Sequence, residues 1–182
     1  MKNIIIENIT LEQSHKSQAS QLFAAIDKNR EHLSAFLPWV EKMQHVSDME
    51  EYLRNAEALC EDLKESSFAL IINNTAVGRI GLHHLNMQNK SGAIGYWLSK
   101  EAEGKGIIQR SCKALIRHGF EDLGLQRIEI KAAVANLKSR AVAERLNFVM
   151  EGTLRQAEFV NGQFLDLVLY SLTKDEWLAM NS

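Results

Sequence analysis

A single proline, two cysteines and no long apolar run set the first limits on this chain of 182 residues. Cys60 and Cys112 are too few for a disulfide framework and lack C-x-x-C spacing, which fits a reducing compartment and reads as two small buried hydrophobes. At the amino terminus only Ile4–Ile6 is continuously apolar, far short of a signal segment, and nothing approaches the roughly 18 apolar residues of a membrane span. A soluble, cytoplasmic protein with no membrane partner is the expectation. An excess of either charge is also lacking: 21 basic and 23 acidic residues, a net charge of −2 and a pI near 6.3 argue against holding nucleic acid by its phosphates. Repeats, linkers and low-complexity tracts are missing too. Residues 1–182 therefore read as one domain, with 46% hydrophobic content to build its core.

What is present is an ordered alternation of strand and helix patterns. Residues 3–9 read as a strand, and Thr10 or Ser14 as the cap of a helix reaching about Asn29, with Leu22, Phe23 and Ile26 on one face. A second helix is expected from near Ser47 to about Ser66, with Asp48 and Glu50 in its first turn and Met49, Leu53, Ala56 and Leu63 as apolar positions. Between them Pro38 and Trp39 mark a loop whose indole either lines a pocket or packs on the core. Strand patterns at 68–73, 77–84 and 93–98 form an antiparallel meander, followed by a helix at 107–120 and an alternating strand at 127–134. Asn136 or Ser139 caps a helix ending at Asn147, strands at 149–157 and 164–172 flank a turn at Val160-Asn161-Gly162-Gln163, and the last turns from Thr173 read as helical. The sum is a mixed α/β fold around a partly parallel sheet of about seven strands.

At its centre lies Glu103-Gly104-Lys105-Gly106-Ile107-Ile108, between a strand pattern and a helix pattern. Two glycines let a backbone approach a ligand closely, and the first amides of a helix have no partner within it, so the segment suits an anion. It also suits a plain tight turn. No G-x-x-x-x-G-K-[ST] is present, and Gln109 replaces the third glycine of G-x-G-x-x-G, so neither familiar nucleotide loop applies.

The companions of that loop narrow the reading. Ile94-Gly95-Tyr96-Trp97-Leu98, Gly104-Lys105-Gly106-Ile107, Asn136-x-x-Ser139, Gly152, and Arg155-Gln156-Ala157-Glu158 before Asn161-Gly162 occur in an order that resembles the GNAT superfamily of acyl-CoA N-acyltransferases. Within it the RimL/RimJ-like branch of ribosomal-protein N-acetyltransferases is the most similar. The resemblance runs from the first strand to Leu172 and departs from the loop pattern Q/R-x-x-G-x-G/A at Glu103 and Ile108. It implies a splayed parallel strand pair, acetyl-CoA as cosubstrate and no metal. Loop amides from Gly104 through Lys105, Gly106 and Ile107 to Ile108 would hold the pyrophosphate, and backbone at Trp97 and Leu98 would pair with pantetheine. Asn136 and Ser139 would face the cofactor, Ser139 either donating to the sulfur or orienting the thioester, although both residues equally suit capping. Glu158 matches the proposed base of the branch, and an α-amine with a pKa of about 7.7–8.0 needs only a modest base. Trp39 and Tyr96 are weaker candidates for the acceptor side. Beside a polyanion Glu103 is awkward, so either Lys105 compensates or its carboxylate turns to solvent, the latter being the expectation.

Two features mark departures from commoner mechanisms. Many members of the superfamily carry a tyrosine in the helix after the asparagine, but Ala143 stands at that place. Asn147 replaces a glycine and tolerates the left-handed conformation that ends a helix. His83 and His84, adjacent on a strand, point to opposite faces and do not suit one metal. Cys112 lies inside a helix and reads as core, which favours direct transfer in a ternary complex over an acyl-cysteine. The acceptor implied is a protein N-terminus, with a polyamine or aminoglycoside-like amine as alternative. A coenzyme A-binding module without activity and a nucleotide-binding regulatory domain remain as other classes. The second helix carries seven acidic residues against two basic ones, a feature that suits either steering of a cationic acceptor or a solvated face. Residues 149–172 resemble a segment that pairs subunits in this branch, so a homodimer is expected.

Overall fold

The structure, a computed structural model, describes residues 3–181. Eight strands build one sheet: β1 (Ile4–Ile6), β2 (Ile9–Gln13), β3 (Ser66–Ile72), β4 (Thr75–Asn86), β5 (Ser91–Leu98), β6 (Arg127–Ala133), β7 (Val149–Val160) and β8 (Gln163–Thr173). Their order across the sheet is β1-β2-β3-β4-β5-β6-β8-β7, and only β5 and β6 run parallel. The helices are α1 (Ala19–Lys28), α2 (Arg30–Ser34), α3 (Val46–Glu61), α4 (Ile107–Arg117), α5 (Leu137–Arg145) and α6 (Lys174–Met180).

Alternation along the strands divides the interior into two cores. Ile80, Ile94, Ile130 and Tyr170 pack with Cys112, Leu115 and Phe120 of the α4 side, while Ala69, Ala76 and Trp97 meet Leu22 and Ile26 of α1 and Met49 and Leu53 of α3. A polar island sits beside the second core. Buried Arg79 donates through Nη2 to Ser14 Oγ at 2.7 Å and Ser67 Oγ at 2.9 Å, and the Tyr52 ring lies 4.7 Å from its guanidinium carbon. Glu65 approaches Arg79 at 3.7 Å and His83 Nδ1 at 3.0 Å. Burial works to raise the Glu65 carboxyl, but hydrogen bonds from His83 and Ser67 and the charges of His83 and Arg79 outweigh it and hold it below the usual carboxylate range.

Several expected boundaries move, each for a local reason. The strand read at 3–9 is a hairpin, because Glu7 turns the chain with a φ of 51° and β2 runs on to Gln13. This makes eight strands rather than seven. Neither Thr10 nor Ser14 caps α1: Thr10 is in β2, and Ser14 is buried against Ser67. His15 opens the following short 3-10 turn instead, accepting from the Ser17 amide. Asp48 does occupy the first turn of α3, where it accepts from the backbone of Gln44 and His45, but that helix stops at Glu61 and Ser66 already belongs to β3. Asn147 is left-handed at φ 60° as expected, and Asn161 and Gly162, both at positive φ, make the two-residue β7–β8 turn. Thr173 and Glu176 form the capping box of α6.

Candidate active site

The sheet splits where β5 leaves β6. Four residues are in register, Ser91↔Arg127 through Ile94↔Ile130, after which Tyr96, Trp97 and Leu98 pair only with β4, and Lys131–Ala133 only with β8. One edge of each strand is thereby left without a strand partner, a template for an extended polar chain. A cleft of about 1270 Å³ opens there, lined among others by Tyr96, Trp97, Leu98, Gly104, Gly106, Ile107, Ile108, Asn136 and Ser139.

At one end lies the glycine loop. Gly104 and Gly106 have φ values of 75° and 67°, and a Cβ on either would meet nothing within 4 Å, so it is backbone conformation and not crowding that calls for glycine. Gly106 caps α4 without a side-chain bond, and the first bond of this turn runs from the Arg110 amide to the Gly106 carbonyl at 3.0 Å. The amides of Ile107, Ile108 and Gln109 thus face the helix entrance, where an anion is favoured. Arg110 fastens the loop by donating to the Lys105 carbonyl at 3.2 Å and pairing with Glu7. Lys105 itself is outside the cleft lining and donates to the Glu101 carbonyl at 2.9 Å.

Glu103 overturns its expectation. Its carboxylate does not turn to solvent, and Lys105 is not its counter-charge: His32 of α2 lies 2.9 Å from one oxygen and Lys138 of α5 2.5 Å from the other. The fold brings the two partners in from α2 and α5, so no spacing around Glu103 announced them.

Asn136 caps α5, its Oδ1 accepting from the Ser139 amide at 3.1 Å. This resolves the shared capping roles, because the Ser139 hydroxyl is left for another contact. It lies 2.8 Å from the phenol oxygen of Tyr96. Tyr96 therefore points to Ser139 and not to the outer face; burial pushes its phenol well above the usual tyrosine range. Ala143 is fully buried at the place of the missing tyrosine.

Trp97 contributes backbone only, because its indole is buried on the α1 side 6.3 Å from Trp39. Trp39 packs there and is not part of the cleft lining. Glu158 also lies outside that lining, half-buried on β7 opposite Leu165. A bulge positions it: between the pairs Leu154↔Leu167 and Glu158↔Leu165, the three residues Arg155, Gln156 and Ala157 face Asp166 alone, and the Gln156 amide is pinned to the Asp166 carboxylate at 2.7 Å. The Asp166 carbonyl in turn accepts from Val134 at 3.0 Å, which ties the bulge to the open end of β6. Burial raises the Glu158 carboxyl above its usual range. Cys112 is fully buried and its thiol is raised for the same reason, an inert setting for a nucleophile. No metal-holding group of His, Cys, Asp or Glu occurs among the described residues.

Comparison with known proteins accords with this arrangement. Residues 8–149 match the model of the acetyltransferase (GNAT) domain. YdaF of Bacillus subtilis (strain 168), assigned provisionally as a ribosomal N-acetyltransferase, is 40% identical over 172 residues, covering 94% of each chain. The ribosomal-protein-serine acetyltransferase of Escherichia coli (strain K12) is 31% identical over 167 residues, 92% of this chain and 93% of its own. Among solved structures, RimL, a ribosomal alpha-N-protein acetyltransferase in complex with coenzyme A, superposes with a TM-score of 0.92 at 27% identity over 96% of this chain and 99% of that one. With its split sheet, its anion-ready loop and these relatives, the chain belongs to the GNAT family of acetyltransferases and is an acetyl-CoA-dependent N-acetyltransferase.

Proposed function

We propose that the protein acetylates the N-terminal α-amine of a protein, of the ribosomal-protein type, by direct transfer within a ternary complex in the cytoplasm. The observation that carries the reading is the split between β5 and β6, with free loop amides at one end and the Tyr96–Ser139 pair along its wall. Pantetheine amides pair with the backbone at Trp97 and Leu98, the pyrophosphate rests on the amides from Gly104 to Ile108, and Asn136 holds the α5 entrance. Glu158 takes the proton of the amine, directly or through water. The inert setting of Cys112 supports direct transfer. The relatives named for ribosomal-protein substrates support the acceptor class.

Mass spectrometry of acetyl transfer from acetyl-CoA to N-terminal peptides, intact ribosomal proteins and small amines tests the reading. A mass shift on a peptide α-amine is the expected result; acetylation of polyamines or aminoglycosides alone would overturn the acceptor, and absence of coenzyme A binding would overturn the whole.

A homodimer through the β7–β8 hairpin belongs to the same reading, since Val149, Met150, Phe159 and Phe164 each leave more than half of their surface exposed there. Sedimentation at micromolar concentration should give twice the chain mass, and Phe164→Glu should return it to one.

The Glu103 clamp has a consequence for the donor. It places a negative charge beside the proposed pyrophosphate site and engages Lys138. Glu103→Gln is expected to tighten coenzyme A binding by up to about fivefold at low salt, the scale of a partly exposed ion pair. The gain should vanish at roughly 1 M salt, where the screening length is about 3 Å. Calorimetry at both salt levels measures it, and weaker binding by the variant would mean that the clamp builds the site.

A further inference from the structure

We propose that Tyr96 is a positioning residue that turns the Ser139 hydroxyl into a hydrogen-bond donor aimed at the thioester sulfur. The inference deepens the reading above and rests on it. An aliphatic hydroxyl is a far weaker acid than a thiol with a pKa of about 8.5, so Ser139 does not surrender its proton to the leaving sulfur. What it supplies is a hydrogen bond to the charge that develops there. As the amine nitrogen bonds to the acetyl carbon and the C–S bond breaks, the electron pair goes to sulfur. Coenzyme A departs as a thiolate and is protonated by solvent, while the proton of the amine passes to Glu158.

For that donation the hydroxyl must have its hydrogen free and pointing into the cleft. The geometry around Ser139 provides this. Its amide is already held by Asn136 Oδ1, which fixes the residue on the first turn of α5. The Tyr96 oxygen is 2.8 Å from Ser139 Oγ and 3.3 Å from the Ser139 carbonyl. The shorter contact is at the preferred O–H···O length and the longer one is beyond it, so the phenol hydrogen is best spent on Oγ. Ser139 then accepts from Tyr96, and its own hydrogen is directed away, into the space that both residues line.

The strand supports the same role. Tyr96 lies two residues past the last β5–β6 pair, at the point where the sheet opens, and reaches across the gap to α5. Burial keeps the phenol protonated across the working range, which makes it a constant donor. Two polar side chains of the cleft wall, His32 and Lys138, are occupied by Glu103, and Ala143 offers no group at all.

Tyr96→Phe removes only the oxygen. With acetyl-CoA and the best acceptor found in the panel, its kcat is expected to fall about tenfold while the KM for acetyl-CoA and the affinity for coenzyme A stay within about twofold. Ser139→Ala, which removes a donor at the developing charge, should lower kcat by about 10². The deciding measurement is the double variant: with no hydroxyl to orient, Tyr96→Phe should add nothing to Ser139→Ala. Additive losses would overturn the proposal, as would an unchanged kcat in the single variant or an effect confined to the acceptor KM. Thermal melting accompanies each variant, and Tyr96→Leu serves if the phenylalanine form is unstable. If the wild-type protein acetylates nothing, the parent reading falls; if it does and the losses add, only the role of Tyr96 falls.

Discussion

Replacement of Glu158 by glutamine is expected to lower kcat by about 10²–10³ with little change in the KM for acetyl-CoA, the range for loss of a general base. Burial gives the prediction a pH signature. Because the carboxyl is raised above the usual glutamate range, its protonated and inactive form persists to higher pH, and the acid limb of kcat/KM lies correspondingly higher than for a solvated carboxylate. That limb should disappear in the glutamine variant, leaving the titration of the acceptor amine near 8. Stability should move the other way. A carboxyl raised in the folded state contributes stability that is fully present below its unfolded pKa and is lost as pH rises through the folded one. Glutamine is therefore not expected to lower the melting temperature at neutral pH. Steady-state rates across pH, with melting curves as control, check both halves; a rate within about twofold of wild type would remove Glu158 from the mechanism.

The largest loss of stability is expected from Arg79→Ala, at about 3–5 kcal/mol, because it takes a charge partner from a buried carboxylate and a donor from two buried hydroxyls that otherwise have only each other and their remaining neighbours. Glu65 then keeps only His83 and Ser67 among the groups that hold it down. In the wild type the lowered carboxyl contributes stability above its unfolded pKa that is lost as pH falls through the folded one. The alanine variant should thus unfold at lower urea and show less of that acid dependence. Pairing Arg79→Met with Glu65→Gln removes both charges and should recover a substantial part of the loss. Urea titrations at neutral and acid pH measure the series, and a loss below about 1 kcal/mol for Arg79→Ala would show that the island is solvated in solution.

Local signals carried most of the framework. The meander, the loop before α4, the Asn136 cap and the left-handed Asn147 depend on neighbours close in sequence, and each was readable there. What escaped depends on groups distant along the chain. Tyr96 and Ser139 are 43 residues apart, Glu103 takes its partners from α2 and α5, and Arg79 draws on Ser14, just past the end of β2. The Leu154–Glu158 bulge escaped differently: nothing in Arg155-Gln156-Ala157 breaks a strand, and only pairing with Asp166 across the hairpin reveals the extra residues. His15 was passed over as a turn opener because histidine is not among the residues usually sought at helix entrances.

The four-residue register between β5 and β6 is also a waist. Tyr96 belongs to the β4–β5 side of it, Ser139 and the Glu158 bulge follow β6 and β8 on the other, and beyond the waist the 2.8 Å contact of Tyr96 with Ser139 spans the opening. A donor lying along the open edges bridges the two sides beyond the waist and acts as a brace as well as a reagent. If acetyl-CoA lies there as proposed, its binding is expected to stiffen the opening, a change that amide exchange of β5 and β6 with and without coenzyme A would register.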